Sequence, residues 1–174
     1  MALLEILTFP NPILREKAKP VTEFNGELAK LAEDMAATMY AAPGVGLAAP
    51  QVGKLLRMVL VDPHAGSAES AGPEVYINPE ILSGEGEIIC EEGCLSLPDF
   101  YEDVKRKAII QVKAQDVNGE TFERTLEGFH AVILLHEMDH LNGVLAIDKV
   151  SRLKRALYTK KRKREVRDNV MRIP

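Results

Sequence analysis

The sequence predicts an α+β fold: antiparallel β-sheets surrounding a central helix, with an N-terminal helix and a C-terminal basic helix. Three observations predict it. Apolar residues recur at helical spacing in two well-separated stretches. Between them lie short runs rich in β-branched residues, punctuated by Gly, Pro and Asn. Charge is also unevenly spread. Ten of the 22 Lys and Arg residues fall in 151–174, against two of the 26 Asp and Glu, so this segment carries +8 and residues 1–150 carry −12. With 174 residues, 46% hydrophobic and 28% charged, the chain has the size and composition of one folded domain, a main part over 1–150 followed by the basic helix 151–174. Extensive disorder, collagen-like repeats and a disulfide scaffold are excluded.

Taken in order, residues 10–20 hold Pro10, Pro12 and Pro20, which predicts an irregular arm. Leu28, Leu31, Ala32, Met35 and Met39 share one helical face, and Pro43-Gly44 ends that helix. Residues 44–53 read as a tight, core-packed loop, and 55–61 as a buried strand. Small residues over 66–72 predict an exposed loop. Short strands are predicted at 75–78, 81–82, 87–90, 108–116 and 121–126. Asn118-Gly119, between the last two, signals a hairpin. A central helix runs from Leu126 to Asn142, with Gly143 placed to end it. A basic helix begins at Ser151.

The N-terminal stretch lacks the basic flank and cleavage site of a secretory signal, and no apolar run approaches the roughly 20 residues a membrane helix needs. A cytoplasmic location is expected, or an organellar one after loss of a transit peptide. Cys90 and Cys94 then read as free thiols or metal ligands rather than a disulfide.

The sharpest motif is His136-Glu137-Met138-Asp139-His140. On a helix, positions i and i+4 share a face, so two imidazoles can hold one metal ion beside a Glu able to move protons. A catalytic site needs a third protein ligand and an open fourth position. The position six residues after the second His is Ala146, and the one downstream Glu, Glu165, lies in the basic segment. The remaining candidate is Cys94, a good thiolate ligand for Zn²⁺ or Fe²⁺. A closed Cys₂His₂ site with Cys90 stays open as an alternative. It needs a tight turn, because an extended 90–94 separates the two Cα atoms by about 13 Å.

Three segments, in this order, resemble the peptide deformylases: Gly44-Val45-Gly46-Leu47-Ala48-Ala49-Pro50-Gln51, Glu92-Gly93-Cys94-Leu95-Ser96-Leu97-Pro98, and His136-Glu137-Met138-Asp139-His140-Leu141. The similarity covers about residues 3–150. It implies removal of the formyl group from the N-terminal formyl-methionine of nascent chains. It further implies one divalent metal on Cys94, His136 and His140, natively Fe²⁺, replaceable by Zn²⁺, Ni²⁺ or Co²⁺. Glu137 would be general base and then acid. The Gln51 side-chain amide and the Leu95 backbone N–H would stabilise the oxyanion. The backbone at Val45 and Gly46 and the segment holding Glu92 and Gly93 would pair with the peptide as if it were a strand.

From helical spacing, Phe129, Val132 and Ile133 face the same way as His136 and are candidates for an apolar methionine slot, with Val45 closing it. Each could equally be ordinary core. His130 lies off the ligand face, His64 reads as exposed, and Cys90 as a buried small hydrophobe. Tyr101 stands where many relatives carry an Arg, so Glu92 is expected to lack its cation. The basic segment is either a solvated helix or a contact for an anionic surface, and the resemblance implies transient docking on the ribosome. A monomer that engages no membrane is expected. Two other readings compete: an HExxH peptidase cutting internal bonds, and a metal-stapled RNA-binding module.

Overall fold

A computed structural model describes residues 1–172. Helix α1 (Gly26–Ala41) starts where the Asn25 side chain accepts from the Leu28 N–H, a cap that satisfies one of the free amides of the first turn. Its stripe of Leu28, Ala32, Met35 and Met39 packs on Leu47, Met58, Leu60 and Ile77. Helix α2 (Phe129–Leu141) lies in the interior and buries His136, Glu137 and His140 along with Ala131, Val132, Ile133, Leu134 and Leu141. It follows Gly128 and is ended by Gly143, both at positive φ. A side chain at Gly143 would collide with the Arg15 carbonyl, so the close pass of the N-terminal arm, as well as the turn, demands glycine there.

Two antiparallel sheets enclose α2. The larger contains β1 (Gly46–Ala48), β2 (Met58–Val61), β3 (Glu74–Glu85), β6 (Ile109–Gln115) and β7 (Thr121–Glu127), in the order β1-β2-β3-β6-β7. The smaller is the hairpin of β4 (Ile88–Cys94) and β5 (Leu97–Arg106). Ala48, Val59, Val61, Tyr76, Val112 and Leu126 from the larger sheet meet Ala131, Ile133, Leu134 and Leu141 of α2. Among the described residues no helix is long and apolar enough to cross a membrane.

Several elements differ from expectation. The predicted breaks at 78 and 82 are absent: β3 runs through Pro79. Asn78 sits at φ 52 and the register slips between Ile77 and Glu80, a bulge that absorbs the missing proline donor. The Asn78 side chain holds it by accepting from the Val21 N–H and donating to the Val21 carbonyl and to Gln115. Strand β4 extends to Cys94 rather than ending at Cys90, and β5 forms where no strand is expected. Within the supposed 44–53 loop, β1 pairs with β2.

The β6–β7 hairpin forms, with Gly119 at φ 84 and Asp116 Oδ1 accepting from the Asn118 and Glu120 amides. The arm expected to be irregular contains a 3-10 turn, Pro12–Arg15, that buries Leu14.

Helix α3 (Arg152–Arg172) is docked rather than solvated all round. Tyr158 packs among Phe9, Leu97, Phe100 and Ile147, and its hydroxyl donates to the Pro98 carbonyl at 2.8 Å. The buried Arg162 guanidinium donates to the Phe9 carbonyl at 2.9 Å. Residues 173 and 174 of the predicted basic segment lie outside the described residues.

Candidate metal centre and active site

The sequence places His136 and His140 one helical turn apart, and α2 sets their rings edge-on with centroids 5.2 Å apart. Cys94 comes from the other sheet. It is the last residue of β4, paired with Leu97 across a two-residue turn of Leu95 and Ser96. This puts its Sγ 3.4 Å from His140 Nε2. Possible ligand atoms of Cys94, His136 and His140 all lie within 4.8 Å of one another. Cys90 is not part of this group; it sits four residues back on β4, opposite Val104, half-buried rather than buried.

The imidazoles are held for ligation. His136 Nδ1 lies 2.8 Å from Glu92 Oε1, which assigns the proton to Nδ1 and leaves Nε2 free as a donor atom. Burial pushes His140 well below the ordinary imidazole range, so its ring is neutral.

Among the described residues, two buried side-chain polar atoms, Glu137 Oε2 and His140 Nδ1, have no hydrogen-bond partner. Burial pushes the Glu137 carboxyl up to about 7, the range in which a carboxyl both takes and gives protons near neutral pH. The Cys94 sulfur and two imidazoles form a donor set suited to a divalent Zn²⁺- or Fe²⁺-class ion, with the Glu137 carboxyl beside it.

Backbone and amide groups surround this centre. A Cβ at Gly46 would lie 2.6 Å from Glu137 Oε1 and 2.9 Å from Ile133 Cγ2, so β1 passes over the carboxylate only because residue 46 is glycine. Gln51 is buried. Its Oε1 accepts from the Ala48 N–H at 2.8 Å, and its Nε2 donates to Ser96 Oγ at 3.0 Å with Cys94 Sγ 3.7 Å away. The amide is thus oriented by β1 and aimed at the turn that contains Leu95.

The family model described as polypeptide deformylase matches residues 3–156. The chain belongs to the polypeptide deformylase family. Among curated relatives, the peptide deformylase of Mesorhizobium japonicum is 50% identical over 97% of this chain and 96% of its own. That of Thermodesulfovibrio yellowstonii is 50% identical over 92% of this chain and 97% of its own. The crystal structure of a peptide deformylase from Legionella pneumophila superposes with a TM-score of 0.89 at 45% identity, covering 99% of this chain and 100% of that one.

Beside the deformylase centre lies a pocket of about 160 Å³. It is lined by Val45, Glu91, Glu92, Gly93, Phe129, Val132, Ile133, His136 and Glu137. The structure therefore brings together the expected slot residues. Val132 and Ile133 are buried, whereas Phe129 stands 48% exposed at the mouth.

One expectation is overturned: Glu92 does not lack a cation. The buried Arg106 donates to both its oxygens, at 2.6 and 2.9 Å, and to Asp139 at 2.8 Å. Burial opposes ionisation of Glu92, but Arg106 and His136 outweigh it and hold the carboxyl down at about 2. Glu92 borders the pocket, yet its carboxylate is turned to these partners.

Sequence reasoning misses Arg106, Asp139 and Ser96. The one available signal for Arg106 is a cation at an inward position of an alternating strand, and that strand is hard to read in the sequence. His130, placed off the ligand face, contacts Glu74, and His64 is exposed as expected, near Glu69.

Proposed function

We propose that the chain hydrolyses the N-formyl group of formyl-methionyl nascent peptides, releasing formate, in the cytoplasm. Residues 1–150 act as the catalytic part of one domain. The observation that carries this reading is the convergence of Cys94, His136 and His140 with the buried, unpaired Glu137 carboxylate beside an apolar pocket.

A divalent ion held by these three side chains, Fe²⁺ natively, would polarise the formyl carbonyl and bring the pKa of water to about 7. Glu137 takes the proton of the attacking water on its free oxygen and passes it to the departing amine. The Gln51 Nε2–H, beside Cys94, and the Leu95 N–H receive the negative charge that grows on the formyl oxygen. Phe129, Val132, Ile133 and Val45 surround the methionine side chain. Gly46 on one side and Glu92-Gly93 on the other offer strand edges to the peptide backbone.

Formate release from a formyl-Met peptide tests this, using protein purified anaerobically and loaded with Fe²⁺ or Ni²⁺. Release is expected. Glu137→Gln is expected to keep the metal and lose about 10²- to 10⁴-fold in kcat. No release from metal-loaded protein, or full activity in Glu137→Gln, would refute the reading.

The tail has its own part in this proposal. Arg15 and the α3 residues Arg152, Arg155, Lys160, Lys163, Arg164 and Arg167 line a surface groove of about 860 Å³. Such a groove fits a polyanion, and supports transient docking on ribosomal RNA close to the source of formylated chains.

A further inference from the structure

The two donors assigned to the formyl oxygen come from different parts of the fold. Gln51 belongs to the 3-10 turn Ala49–Val52 that follows β1, and Leu95 to the turn between β4 and β5. The N-terminal arm ties these turns together. The Leu7 N–H donates to the Gln51 carbonyl at 2.7 Å, and the Phe9 N–H to the Ser96 carbonyl at 2.8 Å. Gln51 Nε2 closes the ring by donating to Ser96 Oγ at 3.0 Å. This strap, Leu7-Thr8-Phe9, is gripped from outside by a side chain of α3. The Arg162 guanidinium is buried, a costly placement for a cation. Its Nη1 meets Glu165 on the same helix at 2.7 Å, which balances the charge. Its Nε and Nη2 are given to the strap, donating to the Phe9 carbonyl at 2.9 Å and to Thr8 Oγ1 at 3.3 Å.

We infer that Arg162 is a positioning residue for the oxyanion site: by fixing the strap, it sets the Gln51 amide against the turn that contains Leu95. The inference rests on the deformylase reading above. Tyr158 already docks α3, through its ring against Phe9 and Phe100 and its bond to Pro98. Holding the helix therefore does not by itself call for a buried cation one turn further on. What Arg162 adds is a charged donor on the residue whose own N–H holds Ser96. Donors to an oxyanion act over a narrow range, about 2.7–3.1 Å. A strap that drifts takes the Gln51 and Ser96 carbonyls with it, and the spacing between Gln51 Nε2 and the Leu95 turn drifts too. The loss falls on the transition state, so it appears in kcat rather than in KM.

The test measures formate release from formyl-Met-Ala-Ser amide by the metal-loaded full chain, well below its thermal midpoint. Arg162→Met is expected to lower kcat by about five- to tenfold, with KM and bound metal unchanged. Arg162→Lys, which keeps a charged donor for the Phe9 carbonyl, is expected to return kcat to within about twofold of the unsubstituted protein. In a Gln51→Ala background, where the positioned donor is gone, Arg162→Met should cost less than about twofold. If Arg162→Met does not fold, Thr8→Val takes its place in the same comparison, since it removes the acceptor of Arg162 Nη2. An equal loss in both backgrounds, or an unchanged kcat in Arg162→Met, overturns the inference alone. Absence of formate release from the unsubstituted protein sinks the deformylase reading and this inference with it.

Discussion

Arg106 spends its guanidinium on two carboxylates that both bear on the metal centre: Glu92, which holds His136, and Asp139, the neighbour of His140. Removing the cation would leave Glu92 buried and ionised without compensation, a change that costs about 3–5 kcal/mol. It would also loosen the imidazole that Glu92 orients. Arg106→Met is therefore expected to weaken metal affinity by about 10- to 100-fold, measured by chelator competition. Arg106→Lys, which keeps charge without the planar fork, should fall between. Wild-type affinity in Arg106→Met would contradict this role.

Residues at this scale are legible where one element fixes their spacing. His136, Glu137 and His140 follow from helical periodicity, and Cys94 from the chemistry of a third ligand. Arg106 is not legible, because its partners lie on another strand and on a helix. Register, which spacing alone does not reveal, brings them together.

Among the elements, helices and the β6–β7 hairpin are readable, because each carries its own periodic or turn signal. β5 is not. Its sequence LPDFYEDVKR alternates only in part and includes Pro98 and five charges, so the stretch looks like a loop. Its inward Leu97 and Phe100 declare themselves only against Tyr158, Phe9 and the rest of that cluster.

The loop after β2 shows how one residue can hold an element. Asp62 is buried. Its amide donates to the Val45 carbonyl, and its carboxylate accepts from the Tyr40 and Ser70 hydroxyls and the His64 N–H. Burial raises its pKa, but these donors outweigh burial and hold the carboxyl below the ordinary 3.8. A depressed folded pKa stabilises the fold above pH 3.8, and the contribution fades as pH falls through the lower value. Asp62→Asn should therefore be less stable than the parent at pH 7, and the gap in denaturation midpoint should shrink below about pH 4. A gap that stayed constant across that range would show that the carboxylate charge contributes nothing.

Taken whole, the molecule separates charge by place. The −12 of residues 1–150 and the +8 of 151–174 meet along a helix with two faces. One face, through Tyr158 and Arg162, is built into the protein; the other lines the basic groove. The two faces should be separable by substitution. Combined change of Lys163, Arg164 and Arg167 to Gln is expected to weaken binding to an RNA fragment and to flatten its salt dependence. The log–log slope should fall by about 0.7–0.9 for each phosphate no longer neutralised. The thermal midpoint should hold, since these side chains lie outside the packed face. Arg162→Met should do the reverse. RNA binding insensitive to the triple change would remove the groove from consideration. The charge split is plain in the sequence; that one face is docked is not, because Tyr158 and Arg162 sit unmarked within a run of basic residues.

The ligand set straddles two structural layers, with the two histidines on the interior helix and the cysteine on the tip of a two-stranded hairpin. A hairpin so narrow is marginal by itself. An ion held by these three residues would thus double as a clasp. Its departure would release a tether at the same moment as a reagent, and the second sheet would become the first part of the protein to come undone while the five-stranded sheet endured.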